Sequence, residues 1–140
     1  MSQQAGYSLR LAKFMPEHAM FMKRILLKSK IHRAVVTDTS IDYEGSITID
    51  EEFMRMVDIL PYEKVSIFNI TNGSRLETYA ITGKKGSKCF IVNGAAARLM
   101  QKGDIIIVAA FAVVDEEEAK NFTPRIIRMD AENNPTDISK

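Results

Sequence analysis

Tyr43-Glu44-Gly45-Ser46-Ile47-Thr48-Ile49 sets a polar, glycine-broken segment against a stretch in which apolar and polar side chains alternate. Alternation with period two reads as a half-buried strand beginning at Ser46, so the Gly45-Ser46 pair falls at a loop-to-strand junction. A serine hydroxyl is a latent nucleophile, and the electrophile nearest to it is the carbonyl of the residue before it. Glycine at that place lacks a Cβ, which admits a strained or positive-φ backbone that brings the hydroxyl onto the carbonyl carbon. Attack gives an ester. Elimination across Ser46 then releases the Gly45 carboxylate and leaves dehydroalanine, whose tautomer hydrolyses with loss of ammonia to a pyruvoyl group. The pair can therefore be read as a bond the chain breaks in itself to make a reactive ketone, although a Gly-Ser dipeptide standing alone is an ordinary turn.

Working outward, the mixed apolar and basic run from Ile25 to Thr37 suits a long bent strand pair or a strand-turn-strand, and Asp38 to Glu44 is polar and turn-like. Asp50 is placed to cap a short helix through Ile59, with acids in the first turn and Pro61 beyond the end. Strands over Lys64 to Ile70 and Arg75 to Thr82 flank Thr71-Asn72-Gly73-Ser74, whose Asn-Gly is a strong hairpin signal. A strand from Lys88 to Val92 leads into Asn93-Gly94-Ala95-Ala96-Ala97, where small residues let a backbone approach a ligand closely. The apolar strand Ile105 to Val114 follows, then a helix over Glu116 to Glu118 capped by Asp115, then a strand from Arg125 to Met129 and a polar, frayed tail from Asp130. Many short strands with small helices in the connections predict a mainly β chain closed into a barrel, which removes exposed strand edges.

At 140 residues, 46% of them hydrophobic, the chain suffices for one domain with a real core and is short for two. Residues 23–140 are expected as that single domain, with residues 1–22 a mobile N-terminal extension. The longest apolar run is about half of what a bilayer span needs, and no secretory signal pattern opens the chain, so a soluble cytoplasmic protein without a membrane partner is expected. The single cysteine, Cys89, offers no disulfide framework, and the two histidines, His18 and His32, have no partner at metal-ligand spacing. Gly83-Lys84-Lys85-Gly86-Ser87 lacks the spacing of a phosphate loop and reads as a turn. Nothing around Ser46 has the form of a nucleophile elbow. Charge is uneven: residues 1–33 hold seven Lys or Arg against one acid, Glu17, a net +6, so the remainder carries −5. Such a front could draw an acidic partner, but no aromatic stacking set or docking helix accompanies it.

The segments Lys30-Ile31-His32-Arg33, Tyr43-Glu44-Gly45-Ser46, Thr71-Asn72-Gly73-Ser74-Arg75 with Thr78-Tyr79-Ala80-Ile81, and Val92-Asn93-Gly94-Ala95-Ala96-Ala97 occur in the order and spacing of the pyruvoyl-dependent aspartate 1-decarboxylases. The chain resembles that family over about residues 23 to 130. The resemblance implies a double-psi β-barrel, self-cleavage between Gly45 and Ser46, a homotetramer of cleaved chains, and conversion of L-aspartate to β-alanine for pantothenate synthesis. It implies that Ser46 becomes the pyruvoyl group, whose ketone forms a Schiff base with the substrate amine, and that Tyr79 reprotonates the carbanion left by carbon dioxide. A phenol stays protonated at neutral pH and is a competent acid toward such a carbon.

Arg75 suits a substrate carboxylate because guanidinium is a fixed two-pronged donor that keeps its charge, and Lys30 is a second candidate. Thr78 and the Gly94-Ala95-Ala96 backbone are expected in the substrate-binding shell. Asn93 is placed to polarise a carbonyl, and His32 and Tyr43 to line the cleavage or active region. The front extension departs from the family pattern and leaves the position of the N-terminus relative to Lys30 open, and any need for a maturation helper is open as well. Two rival classes carry their own signatures. A small β-barrel DNA-binding module would show steeply salt-dependent affinity for duplex, and a purely structural oligomer would consume no amino acid.

Overall fold

The computed structural model describes residues 21–139, so apart from Phe21 and Met22 the expected N-terminal extension lies outside the described residues. In chain order the elements are β1 (Lys23–Val35), β2 (Asp38–Ser40), β3 (Ser46–Asp50), α1 (Glu51–Met56), β4 (Lys64–Asn69), β5 (Arg75–Gly83) and β6 (Phe90–Asn93). A short 3-10 helix (Gly94–Arg98), β7 (Ile105–Asp115), α2 (Glu116–Ala119), β8 (Arg125–Met129) and β9 (Pro135–Ser139) complete the chain. The strands make one mixed sheet in the order β2-β6-β3-β5-β4-β7-β1-β8-β9. The expectation of a mainly β fold with short helices in the connections holds.

Two compact units divide the chain. The first comprises, among the described residues, 21–26 together with Ala112–Phe122. There Asp115 caps α2 as its position predicts: the carboxylate accepts the Glu118 amide at 2.8 Å. That backbone hydrogen bond, the largest influence, holds the Asp115 carboxyl below the usual carboxylate range. The Arg24 guanidinium pairs with Glu116 in the same unit.

The second unit, Leu27–Phe111 and residues from Thr123 onward, holds the hydrophobic core. Ile31, Ile47, Ile49, Ile67, Phe90, Val92, Ile106, Val108 and Ile127 are each wholly buried, and all come from strands. β-Branched side chains alternating inward are the reason these segments pair: along β4, Val65 and Ile67 are buried while Lys64, Ser66 and Phe68 are not. Asp50 caps α1 through a 2.9 Å bond from the Glu52 amide. The same buried carboxylate accepts the Gly86 and Lys88 amides, fixing the 84–88 turn over the helix start.

Several local expectations are corrected. The run predicted as two strands is one 13-residue strand, β1, which absorbs its irregularity at Arg33 with φ of 65°. The polar segment after it contributes β2, parallel to β6 with Thr39 opposite Val92. The Asn-Gly hairpin forms, but Phe68 pairs with Arg75 and the Gly73 amide bonds back to the Asn69 carbonyl at 2.8 Å, so the loop is wider than the two-residue turn that Asn-Gly suggests. Only Gly73 of the two is left-handed.

The tail is not frayed. Asn133 is buried, exchanges side-chain bonds with both backbone groups of Val35 at 2.8 and 2.9 Å, and so seats β9 against β8.

Candidate active site

Two pairings meet at β3. Antiparallel to β6, Ser46 stands opposite Asn93 and Ile47 opposite Val92; parallel to β5, Ile47 is level with Ala80. Because side chains alternate across a strand, the wholly buried Ile47, Val92 and Ala80 share the core face, and Ser46, Thr48, Asn93 and Tyr79 share the other. The register continued by one residue brings Tyr79 level with Ser46. The hydrogen bonds agree: the Asn93 amide nitrogen donates to Ser46 Oγ at 3.0 Å and to Thr48 Oγ1 at 3.0 Å. Ser46 is wholly buried and its hydroxyl donates to the Glu44 carbonyl at 3.3 Å. A buried serine hydroxyl between an amide donor and a carbonyl acceptor is oriented on both sides.

The glycine expected to be strained at this junction is relaxed, and a different glycine carries the constraint. Gly45 is not among the positive-φ residues, and a Cβ added to it would meet nothing within 4 Å. Gly94 has φ of 64°, and a Cβ there would lie 2.5 Å from Gly45 Cα, 2.6 Å from Gly45 N and 2.8 Å from the Tyr43 carbonyl oxygen. All three obstacles are backbone atoms, so the peptide chain immediately before Ser46 rests on the bare Cα of Gly94. The small-residue run was predicted to let a backbone come close to a ligand; the backbone that comes close is the chain's own. Ala95 is exposed and Ala96 half-buried in the turn that follows.

The remaining predicted residues are distributed along two strands. Arg75 and Tyr79 lie on the same face of β5, about 13 Å apart at strand rise; Thr78 alternates to the face of Ala80. The Arg75 guanidinium lies over the Phe68 ring, 4.6 Å from its centroid, and no carboxylate pairs with it among the described residues. A cation stacked on an aromatic face keeps its N–H edge available to a ligand. Tyr43 is exposed.

Lys30 and His32 sit on β1, opposite Ile126 and Arg128 of β8, and no hydrogen bond joins them to Ser46 among the described residues. His32 Nδ1 is buried without a hydrogen-bond partner among the described residues. Burial first, then the charges of Lys30, Arg33 and Arg128, push the imidazole pKa below its ordinary value. Sequence reasoning missed Thr48 and Phe68. The Ser46-Ile47-Thr48 alternation could have signalled the first; the second depends on a cross-strand pairing that composition does not carry.

The chain is thus a mixed β protein that sets a buried serine at a loop-to-strand junction, with an amide donor opposite and a tyrosine level with it on the next strand. Among the described residues no group of three His, Cys, Asp or Glu could hold a metal ion, and no helix is long and apolar enough to cross a membrane. The aspartate decarboxylase family model matches residues 22–136, and the chain belongs to that family. It is similar to the aspartate 1-decarboxylase of Thermoanaerobacter pseudethanolicus, 55% identical over 117 residues that cover 84% of this chain and all of that protein. Similar matches are the aspartate 1-decarboxylases of Syntrophus aciditrophicus, 55% identical over 80% of this chain and 97% of that protein, and Syntrophobacter fumaroxidans, 51% identical over 81% and 92%.

Proposed function

We propose that this chain is made as a proenzyme that cuts itself between Gly45 and Ser46, and that the resulting enzyme decarboxylates L-aspartate to β-alanine and carbon dioxide for pantothenate synthesis. Family membership supports the reaction, and the Asn93–Ser46–Glu44 hydrogen-bond chain seated on Gly94 is the single observation that supports the self-cleavage.

In the cut, Ser46 Oγ, oriented by its bond to the Glu44 carbonyl, adds to the Gly45 carbonyl carbon, its proton passes to the Ser46 nitrogen, and the Gly45–Ser46 C–N bond breaks to give an ester and a free Ser46 amine. Asn93 donates to the oxygen on which charge changes, and Gly94 holds the acyl group where the hydroxyl can reach it. Loss of the Ser46 Cα proton expels the Gly45 carboxylate, and one water then replaces nitrogen, which departs as ammonia. The residues present fit the pyruvoyl group this leaves at position 46: the place is buried, has one amide donor, and lies level with a phenol. That group supplies an electron-withdrawing carbonyl that engages the substrate amine and takes up the electron pair left by carbon dioxide.

The protein's own side chains do the rest. Arg75, braced on Phe68, holds a substrate carboxylate; the Gly94-Ala95-Ala96 backbone bounds the pocket, and Thr78 adjoins it through its backbone, its side chain alternating to the other face of β5; Tyr79 delivers a proton to the substrate Cα and excludes water from it. Lys30, on a different strand, would complete the cation set from a neighbouring copy in a homotetramer, which answers the need of a dianionic substrate for paired charges, and His32 beside it would line the cleavage or active region. Residues 23–140 act in this reading as one double-psi barrel domain working in the cytoplasm. Ser46→Ala is the test: it should fold, remain one chain and decarboxylate no aspartate. Turnover by the uncut variant would overturn the proposal. The DNA-binding reading rests only on the basic front of the sequence and predicts duplex affinity that falls steeply with salt.

A further inference from the structure

The hairpin that presents Arg75 is tied to the segment that carries Gly94 through a single acceptor. The Leu99 carbonyl, just past the 3-10 helix, takes hydrogen bonds from Asn72 Nδ2 at 3.0 Å, Ser74 Oγ at 3.2 Å and Asn69 Nδ2 at 3.3 Å. Three donors on one carbonyl exceed its two lone pairs, so they share it, and the donors come from both sides of the loop.

The loop is internally braced for this task. Asn69 Oδ1 accepts the Thr71 amide at 2.9 Å and the Asn72 amide at 3.3 Å, and Asn72 Oδ1 accepts the Ser74 amide at 2.9 Å. Beneath it, buried Asn69 donates to the buried Asp104 carboxylate at 2.8 Å, and that carboxylate also accepts the Gln101 amide at 2.9 Å. The Ile70 amide bonds to the Ile105 carbonyl, and the Ile105 amide to Thr71 Oγ1. The chain after the 3-10 helix is thereby a fixed seat, and the loop before Arg75 sits on it.

We propose that Asn72 and Ser74 are positioning residues for the decarboxylation: by clasping Leu99 they fix where Arg75 begins relative to the Gly94 turn, and so set affinity for the substrate carboxylate. This rests on Arg75 being the carboxylate ligand. Neither residue touches the reacting atoms, and Ser74 is the immediate neighbour of Arg75 in the chain. The clasp acts on binding and not on the proton transfer, because Tyr79 is held four residues further along β5 by its own pairing with Lys64.

The experiment is steady-state kinetics of fully cleaved enzyme carrying Asn72→Ala with Ser74→Ala. KM for aspartate should rise about fivefold, the loss of about one net hydrogen bond, with kcat, the cleavage rate and the unfolding midpoint near those of the unaltered protein. Restoring a hydroxyl with Ser74→Thr beside Asn72→Ala should recover part of the KM. In an Arg75→Lys background the double alanine change should no longer move KM. An unchanged KM, or a parallel fall of kcat and cleavage that marks a general loss of structure, overturns the clasp. If Arg75→Lys alone leaves KM unchanged, the assignment of Arg75 falls instead, and the two failures are separate readings.

Discussion

Replacing Gly94 by alanine should stop the chain from maturing while leaving it able to fold. The added Cβ would sit 2.5 to 2.8 Å from three backbone atoms of residues 43 and 45, well inside contact distance. None belongs to a flexible side chain, so relief requires moving the Tyr43–Gly45 backbone. Overpacking of this kind costs about 1–3 kcal/mol, and the left-handed φ of 64° adds about 1–2 kcal/mol once a Cβ is present. Since the loop is exposed at Tyr43 and Gly45, it yields before the core does. A shift near 1 Å at the acyl group lowers an intramolecular attack about 100-fold. Freshly purified Gly94→Ala protein followed by intact mass should therefore remain one chain over a period in which the parent protein is cut, with a modestly lowered unfolding midpoint. Gly45→Ala is the control, because open space surrounds its Cβ; it should fold with unchanged stability. Cleavage of Gly94→Ala at the parent rate would refute the argument that Gly94 seats the scissile peptide.

Other expectations follow from the same geometry. Asn93→Ala removes an amide that orients the attacking Ser46 Oγ and should slow cleavage about 100-fold in the same mass assay; a parent-like rate would remove Asn93 from the reaction. Tyr79→Phe should cleave normally and lose roughly 100-fold or more in kcat, and unchanged turnover would reassign the proton donor. His32 has its pKa lowered in the fold, so between that value and about 6.5 the unfolded chain binds more protons than the native one. Its contribution is fully present above about pH 6.5 and is lost as pH falls, so the parent protein should lose stability on acidification more steeply than His32→Gln. Equal slopes in chemical denaturation across that range would contradict the assignment.

Local signals in the sequence carried much of the fold. Both short helices start at the capping aspartates the sequence marks, Asp50 and Asp115, because a cap is satisfied within three residues. What stayed illegible was long-range. The pairing of Ser46 with Asn93 spans 47 residues and that of Asn133 with Val35 spans 98, and neither periodicity nor propensity encodes such register. β9 hid behind Pro135, Thr136 and Asp137, a polar run that becomes a strand only because β8 offers it an edge. The motif residues pointed to Ser46, which the fold buries beside Asn93, yet the physical role of the glycines was inverted: the conformational demand falls on Gly94, which a reader of the Gly45-Ser46 bond alone has no reason to inspect.

If position 46 ceases to be serine, the mass of the mature protein records the change. Two chains are expected, residues 1–45 and 46–140, with the larger lighter than a serine-started fragment by one ammonia and closed to amino-terminal degradation. Active protein that runs as one uncut chain, or a larger fragment with a free serine amine, would contradict it.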